Sequence, residues 1–139
     1  RFKGWRVMVI EDDPVVAKSI EMSLRSMGVS VEHFFNAEDA LAAPSLFDAD
    51  FYISDYVLPG MNGIDMLDLI RTRTKNGINA ILITGEISQE RMRQTDWSGW
   101  RVLVKPAGLT NLLSVMAEVV DSRRDSKTAD AGQSAAGSA

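Results

Sequence analysis

Cysteine is absent from the 139 residues, which excludes thiol nucleophiles, disulfides, iron–sulfur clusters and zinc held on sulfur. Histidine occurs once, as His33, so no site can be built on two imidazoles. No apolar run approaches the roughly 20 residues needed to cross a bilayer, and no signal-peptide pattern stands at the start. The expectation is a soluble, cytoplasmic protein. A strong excess of one charge is also missing: a net charge of −4 argues against non-specific nucleic-acid binding by these residues. The remaining composition is 45% apolar and 24% charged, the balance of a soluble domain long enough to bury its own core. The chain opens on Arg1 rather than methionine, as expected of a processed or excised piece, which leaves room for a missing neighbouring domain.

The most informative stretch runs from Phe51 to Gly63. Phe51-Tyr52-Ile53-Ser54 has strand composition and delivers one carboxylate, Asp55, at its end. Pro59-Gly60 and Asn62-Gly63 are turn dipeptides, and Ile64, Leu67 and Ile70 then recur at helical spacing, predicting a helix from Gly63 to about Lys75. Upstream, Arg6 to Ile10 reads as a strand stopping at Glu11-Asp12-Asp13. Asp13-Pro14 is a helix cap with proline at the first helical position. Val16, Ile20, Leu24 and Met27 form the apolar stripe of that helix, and Gly28 stops it. Val29 to Phe35 is a second strand, and Asn36 opens a second helix. Downstream, Ala80 to Thr84 and Arg101 to Val104 are strands ending at Thr84-Gly85 and Lys105-Pro106. A short helix is predicted between Ser88 and Thr95, and a last one carries Leu109, Leu112, Leu113, Met116, Val119 and Val120. Strands alternating with helices predict a parallel sheet covered on both faces.

In such a sheet the carboxyl ends of the strands meet along one edge. That edge would gather Glu11, Asp12, Asp55, Thr84 and Lys105. Carboxylates crowded together repel unless a hard divalent cation lies between them, and magnesium suits oxygen ligands. Asp55 can then attack phosphorus to give an acyl phosphate, while the metal and Lys105 neutralise the transferred group. Thr84 can bond a phosphoryl oxygen absent before transfer.

These motifs resemble the receiver domain of bacterial two-component response regulators over roughly Trp5 to Asp121. They are the acidic pair before Asp13-Pro14, the Asp55-x-x-x-Pro59-x-x-x-Gly63 run, the strand-terminal Thr84, and Lys105-Pro106. The resemblance implies a doubly wound, flavodoxin-like α/β fold of five parallel strands in the order 2-1-3-4-5. It implies Asp55 as phosphoacceptor, assisted by Thr84 and Lys105. It also implies Mg2+ held by Asp12, Asp55, the backbone carbonyl of Val57 and, through water, Glu11, with a cis bond before Pro106. The partner it implies is a sensor histidine kinase or a histidine phosphotransfer protein, and the domain would catalyse its own phosphorylation and dephosphorylation. The output partner is unknown, a domain outside these residues included, and phosphorylation-dependent dimerisation is left open. Two positions depart from the family pattern. Val102 stands where the family carries a switching aromatic, and Ala107 where it carries phenylalanine. Trp97 and Trp100 offer a substitute reporter or a partner contact, and packing is an equally weighted reading.

Two other functions compete. A small magnesium-dependent phosphatase with an aspartyl nucleophile would need an acid two residues after Asp55, where Val57 stands. A degenerate receiver acting without phosphorylation is opposed by the complete acidic set and Lys105. His33 reads as a strand surface residue, and Arg123-Arg124 as a charge pair at a helix end. The domain is expected to span residues 1–123, with 124–139 a disordered tail or linker.

Overall fold

A computed structural model describes residues 1–85 and 87–126, and of residues 127–137 only the helical backbone. The elements are β1 (Arg6–Ile10), α1 (Pro14–Arg25), β2 (Ser30–Phe34), α2 (Ala37–Ala42), β3 (Phe51–Asp55), α3 (Gly63–Thr72), β4 (Ala80–Thr84), α4 (Gln89–Gln94), β5 (Arg101–Val104) and α5 (Leu109–Gly137). All strand pairs are parallel and the sheet order is β2-β1-β3-β4-β5. This is the doubly wound arrangement expected from the alternation of elements.

Side-chain alternation along each strand splits the interior into two cores. Val7, Val9, Phe51, Ile53, Ile81 and Ile83 face one side and pack with Leu24 of α1 and Leu112 and Met116 of α5. Met8, Ile10, Tyr52, Ala80 and Leu82 face the other and pack with Ala37 and Ala40 of α2 and Met66, Leu67 and Ile70 of α3. Each fully buried Leu or Ile contributes about 1.5–3 kcal/mol relative to exposure, which makes these central strands the rigid base of the molecule. The carboxyl ends of β3 and β4 close instead on Asp55 and Thr84, polar groups held on this base.

The helix starts arise from local chemistry. Asp13 Oδ1 accepts from the backbone N–H of Val15 at 2.9 Å. Asn36 and Asn62 cap α2 and α3 by accepting from Asp39 at 2.8 Å and Asp65 at 2.9 Å. α3 ends at Thr72, short of the predicted Lys75. Hydroxyls of Thr72 and Thr74 bond back to the carbonyls of Leu69 and Arg71 at 2.8 and 3.0 Å, competing with further helix. Met27, expected on the α1 stripe, lies beyond the helix end and is exposed.

α5 carries the expected apolar face but runs on through Arg124, the first residue of the expected tail. Arg124, Asp125 and Ser126 are helical; the remainder of the expected tail, from residue 127, lies outside the fully described residues. Arg123 is not a helix-end charge. It donates to Asn79 Oδ1 at 2.7 Å and to the Asn76 carbonyl, tying α5 to the loop before β4.

Candidate phosphoryl and metal site

The strand register places the polar residues at one level. Ile10 pairs with Ser54, Asp55 with Ile83, and Thr84 with Val104. Glu11 and Lys105 therefore stand just past the last rungs of β1 and β5, on either side of Asp55. Glu11, Asp12 and Asp55 each offer a carboxylate oxygen within 4.8 Å of the others. Lys105 Nζ donates to Glu11 Oε1 at 2.7 Å and to Asp55 Oδ2 at 3.0 Å. The Lys105-Pro106 bond is cis.

Burial differs sharply across the cluster. Glu11 is 2% exposed, Asp55 8% and Thr84 5%, whereas Asp12 is exposed. Burial pushes the Glu11 carboxyl up to about 8; its hydrogen bond and repulsion with Asp55 act the same way, and Lys105 pulls against them. Burial would lower Lys105, yet its bonds to the two carboxylates outweigh this and hold its ammonium above the ordinary range. Glu11 Oε2 is the one buried side-chain oxygen among the described residues left without a hydrogen-bond partner. An orphaned carboxylate oxygen beside two further carboxylates fits a hard divalent cation, which would satisfy it and offset the charge that one lysine leaves.

Asp55 is fixed from behind. Ser54 Oγ donates to its carbonyl oxygen at 2.9 Å. Gly63 packs so close that a β-carbon there would lie 2.1 Å from the same oxygen. The backbone N–H of Tyr56 donates to Ile83 at 2.8 Å, and that of Gly63 donates to Tyr56 at 2.9 Å, so the first residue after the acceptor strand is clamped. The Pro59-Gly60 turn is braced by Glu38, which accepts from the Met61 N–H at 2.8 Å.

In front of Asp55 a cleft of about 480 Å³ is lined by Tyr56, Val57, Thr84, Ser88, Arg91 and Lys105, among others. Four of the residues named in the sequence thus share one cleft or its wall: Asp55, Val57, Thr84 and Lys105. Glu11 and Asp12 meet Asp55 from its other side. Tyr56, Ser88 and Arg91 join the cleft without a sequence signal, because they sit in polar or aromatic stretches with no motif of their own.

Trp97 and Trp100 are packing residues. The Trp97 ring meets Tyr56 edge-on at 5.0 Å and its Nε1 donates to the Met92 carbonyl at 3.0 Å. Trp100 Nε1 donates to Asp68 Oδ1 at 2.9 Å, under the Arg71 guanidinium at 4.3 Å. Val102 packs half-buried beside them. His33 is not a bare surface residue: its Nε2 lies 2.8 Å from the Glu11 carbonyl oxygen, steadying the acidic residue from the neighbouring strand.

Comparison with known proteins agrees with this geometry. The family model of the response regulator receiver domain matches residues 7–117. The sensory/regulatory protein RpfC of Xanthomonas campestris pv. campestris is 29% identical over 132 residues, 92% of this chain but 18% of that protein. The DNA-binding response regulator MtrA of Mycolicibacterium smegmatis is 31% identical over 81 residues, covering 58% of this chain and 35% of its own length. The chain therefore spans only a minor part of these relatives. Among solved structures, chemotaxis protein CheY4 of Vibrio cholerae superimposes with a TM-score of 0.71 at 25% identity, covering 83% of this chain and 98% of that one. The receiver domain of a histidine kinase from Syntrophus aciditrophicus gives 0.72 at 23% identity, covering 86% and 92%, and bears on the fold alone.

Proposed function

This chain belongs to the response regulator receiver domain family of two-component signalling, and from that premise we propose that Asp55 accepts a phosphoryl group from a phosphohistidine on a partner kinase or phosphotransfer protein. The observation that carries the reading is Lys105 Nζ, bonded at once to Glu11 and Asp55 in a cluster of three carboxylates. A carboxylate oxygen of Asp55 attacks phosphorus and forms the O–P bond. The N–P bond of the donor breaks, and its electron pair leaves on the imidazole nitrogen.

Each neighbour has a part in that transfer. Ser54 and Gly63 hold the Asp55 backbone so that its carboxylate points into the cleft. Lys105 balances charge on the phosphoryl oxygens, and Thr84 donates to one of them after transfer. Glu11, Asp12, Asp55 and the Val57 carbonyl would hold Mg2+, which when bound supplies charge neutralisation for the transferred group. The phosphorylated form then changes affinity for an output partner by shifting populations of the cleft-side elements. No helix among the described residues is long and apolar enough to cross a membrane, which suits a cytoplasmic site of action. Residues 1–123 serve as the receiver unit, with residues 124–139 a terminal tail or a linker.

Incubation with Mg2+ and acetyl phosphate tests this. One added phosphoryl group, lost in Asp55→Asn, is the expected result; no addition, or addition to Asp55→Asn at the same level, would overturn it.

A further inference from the structure

We propose that Arg91 on α4 reads the phosphoryl group, its guanidinium pairing with oxygens carried by Asp55 and drawing α4 onto the site. The inference rests on Asp55 being the acceptor. Arg91 lines the cleft that contains Asp55, Thr84 and Lys105. Arg1, Arg25, Arg71 and Arg101 each pair with a carboxylate; among the described residues no carboxylate pairs with Arg91. Its backbone is committed to the helix, the N–H bonded to Ser88 Oγ at 3.1 Å.

Phosphorylated Asp55 carries about −1.5 to −2 of charge where the free carboxylate carried one, together with three strong acceptor oxygens. Lys105 already divides its ammonium between Glu11 and Asp55, so it cannot serve all the new oxygens. A planar guanidinium on a residue that lines the same cleft is suited to take two of them at once.

α4 is able to respond. It is six residues long and buries no side chain, so moving it forfeits little packing. The turn beyond its carboxyl end is anchored instead. Ser98 and Gly99 adopt φ of 56° and 82°. Ser98 Oγ donates to Asp68 Oδ2 at 3.0 Å, and the Ser98 carbonyl accepts from Arg71 at 3.1 Å. Between the loose helix and the fixed turn stands Trp97, bonded to Met92 on α4 and edge-on against Tyr56 beside the acceptor. A pull on Arg91 therefore pivots α4 about Trp97. This supplies a route from Asp55 to the surface that needs no aromatic side chain in place of Val102.

The test uses the whole chain with Mg2+ and beryllofluoride, comparing wild type, Arg91→Ala, Arg91→Lys and Asp55→Asn. Hydrogen exchange over residues 89–94 and apparent beryllofluoride affinity are the readouts. Wild type should gain protection over that stretch. Arg91→Ala should lose that gain and bind beryllofluoride about tenfold more weakly, within the usual range of coupling between sites; Arg91→Lys should fall between. Urea unfolding of the metal-free variant checks that the fold is intact. If wild type binds and Arg91→Ala matches it in both affinity and protection, the Arg91 role is overturned while the acceptor assignment stands. If wild type fails to bind, or Asp55→Asn binds equally well, the acceptor assignment itself fails.

Discussion

Gly63 and Asp55 are in closer contact than any side chain would allow: a β-carbon on Gly63 would stand 2.1 Å from the Asp55 carbonyl oxygen and 2.9 Å from Ser54 Oγ. The first turn of α3 is thereby seated directly behind the acceptor carboxylate. Backbone, not a flexible side chain, lies opposite, so neither partner can yield cheaply.

Gly63→Ala should therefore destabilise the domain by about 1–3 kcal/mol, the usual cost of forcing atoms into a packed interior. It should also slow phosphorylation of Asp55 by tilting its strand end. Urea denaturation and acetyl phosphate labelling measure the two effects; an unchanged unfolding midpoint would show that α3 shifts without cost.

The raised Glu11 carboxyl gives a pH dependence. Between the ordinary glutamate value of 4.5 and about 8 the folded, metal-free domain binds more protons than the unfolded chain. Stability without metal should thus fall as pH rises through that window. A divalent cation beside Glu11 favours its ionised form, so Mg2+ affinity should rise with pH up to about 8. Calorimetry in buffers of different ionisation enthalpy should register proton release at about pH 6.5 and much less at about pH 9. Glu11→Gln should abolish that release and weaken Mg2+ binding by about tenfold to a hundredfold.

Tryptophan emission should report the site through Trp97 alone. Trp97 touches Tyr56, the residue after Asp55. Trp100 is held by Asp68 and Arg71, and Trp5 packs on Phe2 in the opposite core. Adding beryllofluoride with Mg2+ should change emission in wild type and Trp100→Phe but not in Trp97→Phe. A signal that survives in Trp97→Phe would place the reporter elsewhere.

Asp68 joins α3 to the turn before β5 by accepting from Ser98, Trp100 and Arg71. Asp68→Ala leaves the Trp100 N–H without that acceptor in a part-buried place. The expected loss is about 1–2 kcal/mol, near the value of a charge-assisted hydrogen bond discounted for exposure. Urea denaturation checks it, and Asp68→Asn should recover part of the loss.

The sequence by itself determined the alternation of strands and helices, the caps at Asp13 and Asn36, and the presence of Glu11, Asp12, Asp55, Thr84 and Lys105 at strand ends. Those features are local: periodicity, turn chemistry and capping act within a few residues of the chain. Only the tertiary structure decided that Lys105 bridges Glu11 and Asp55, that His33 and Arg123 have partners, and that Arg91 lines the acceptor cleft. Each of these joins residues on different elements, and which residues meet is set by strand register and by how helices seat on the sheet. The same holds for Gly63, whose place in the motif is legible in the chain, while its reason, the Asp55 carbonyl pressed against it, exists only once β3 and α3 are packed together.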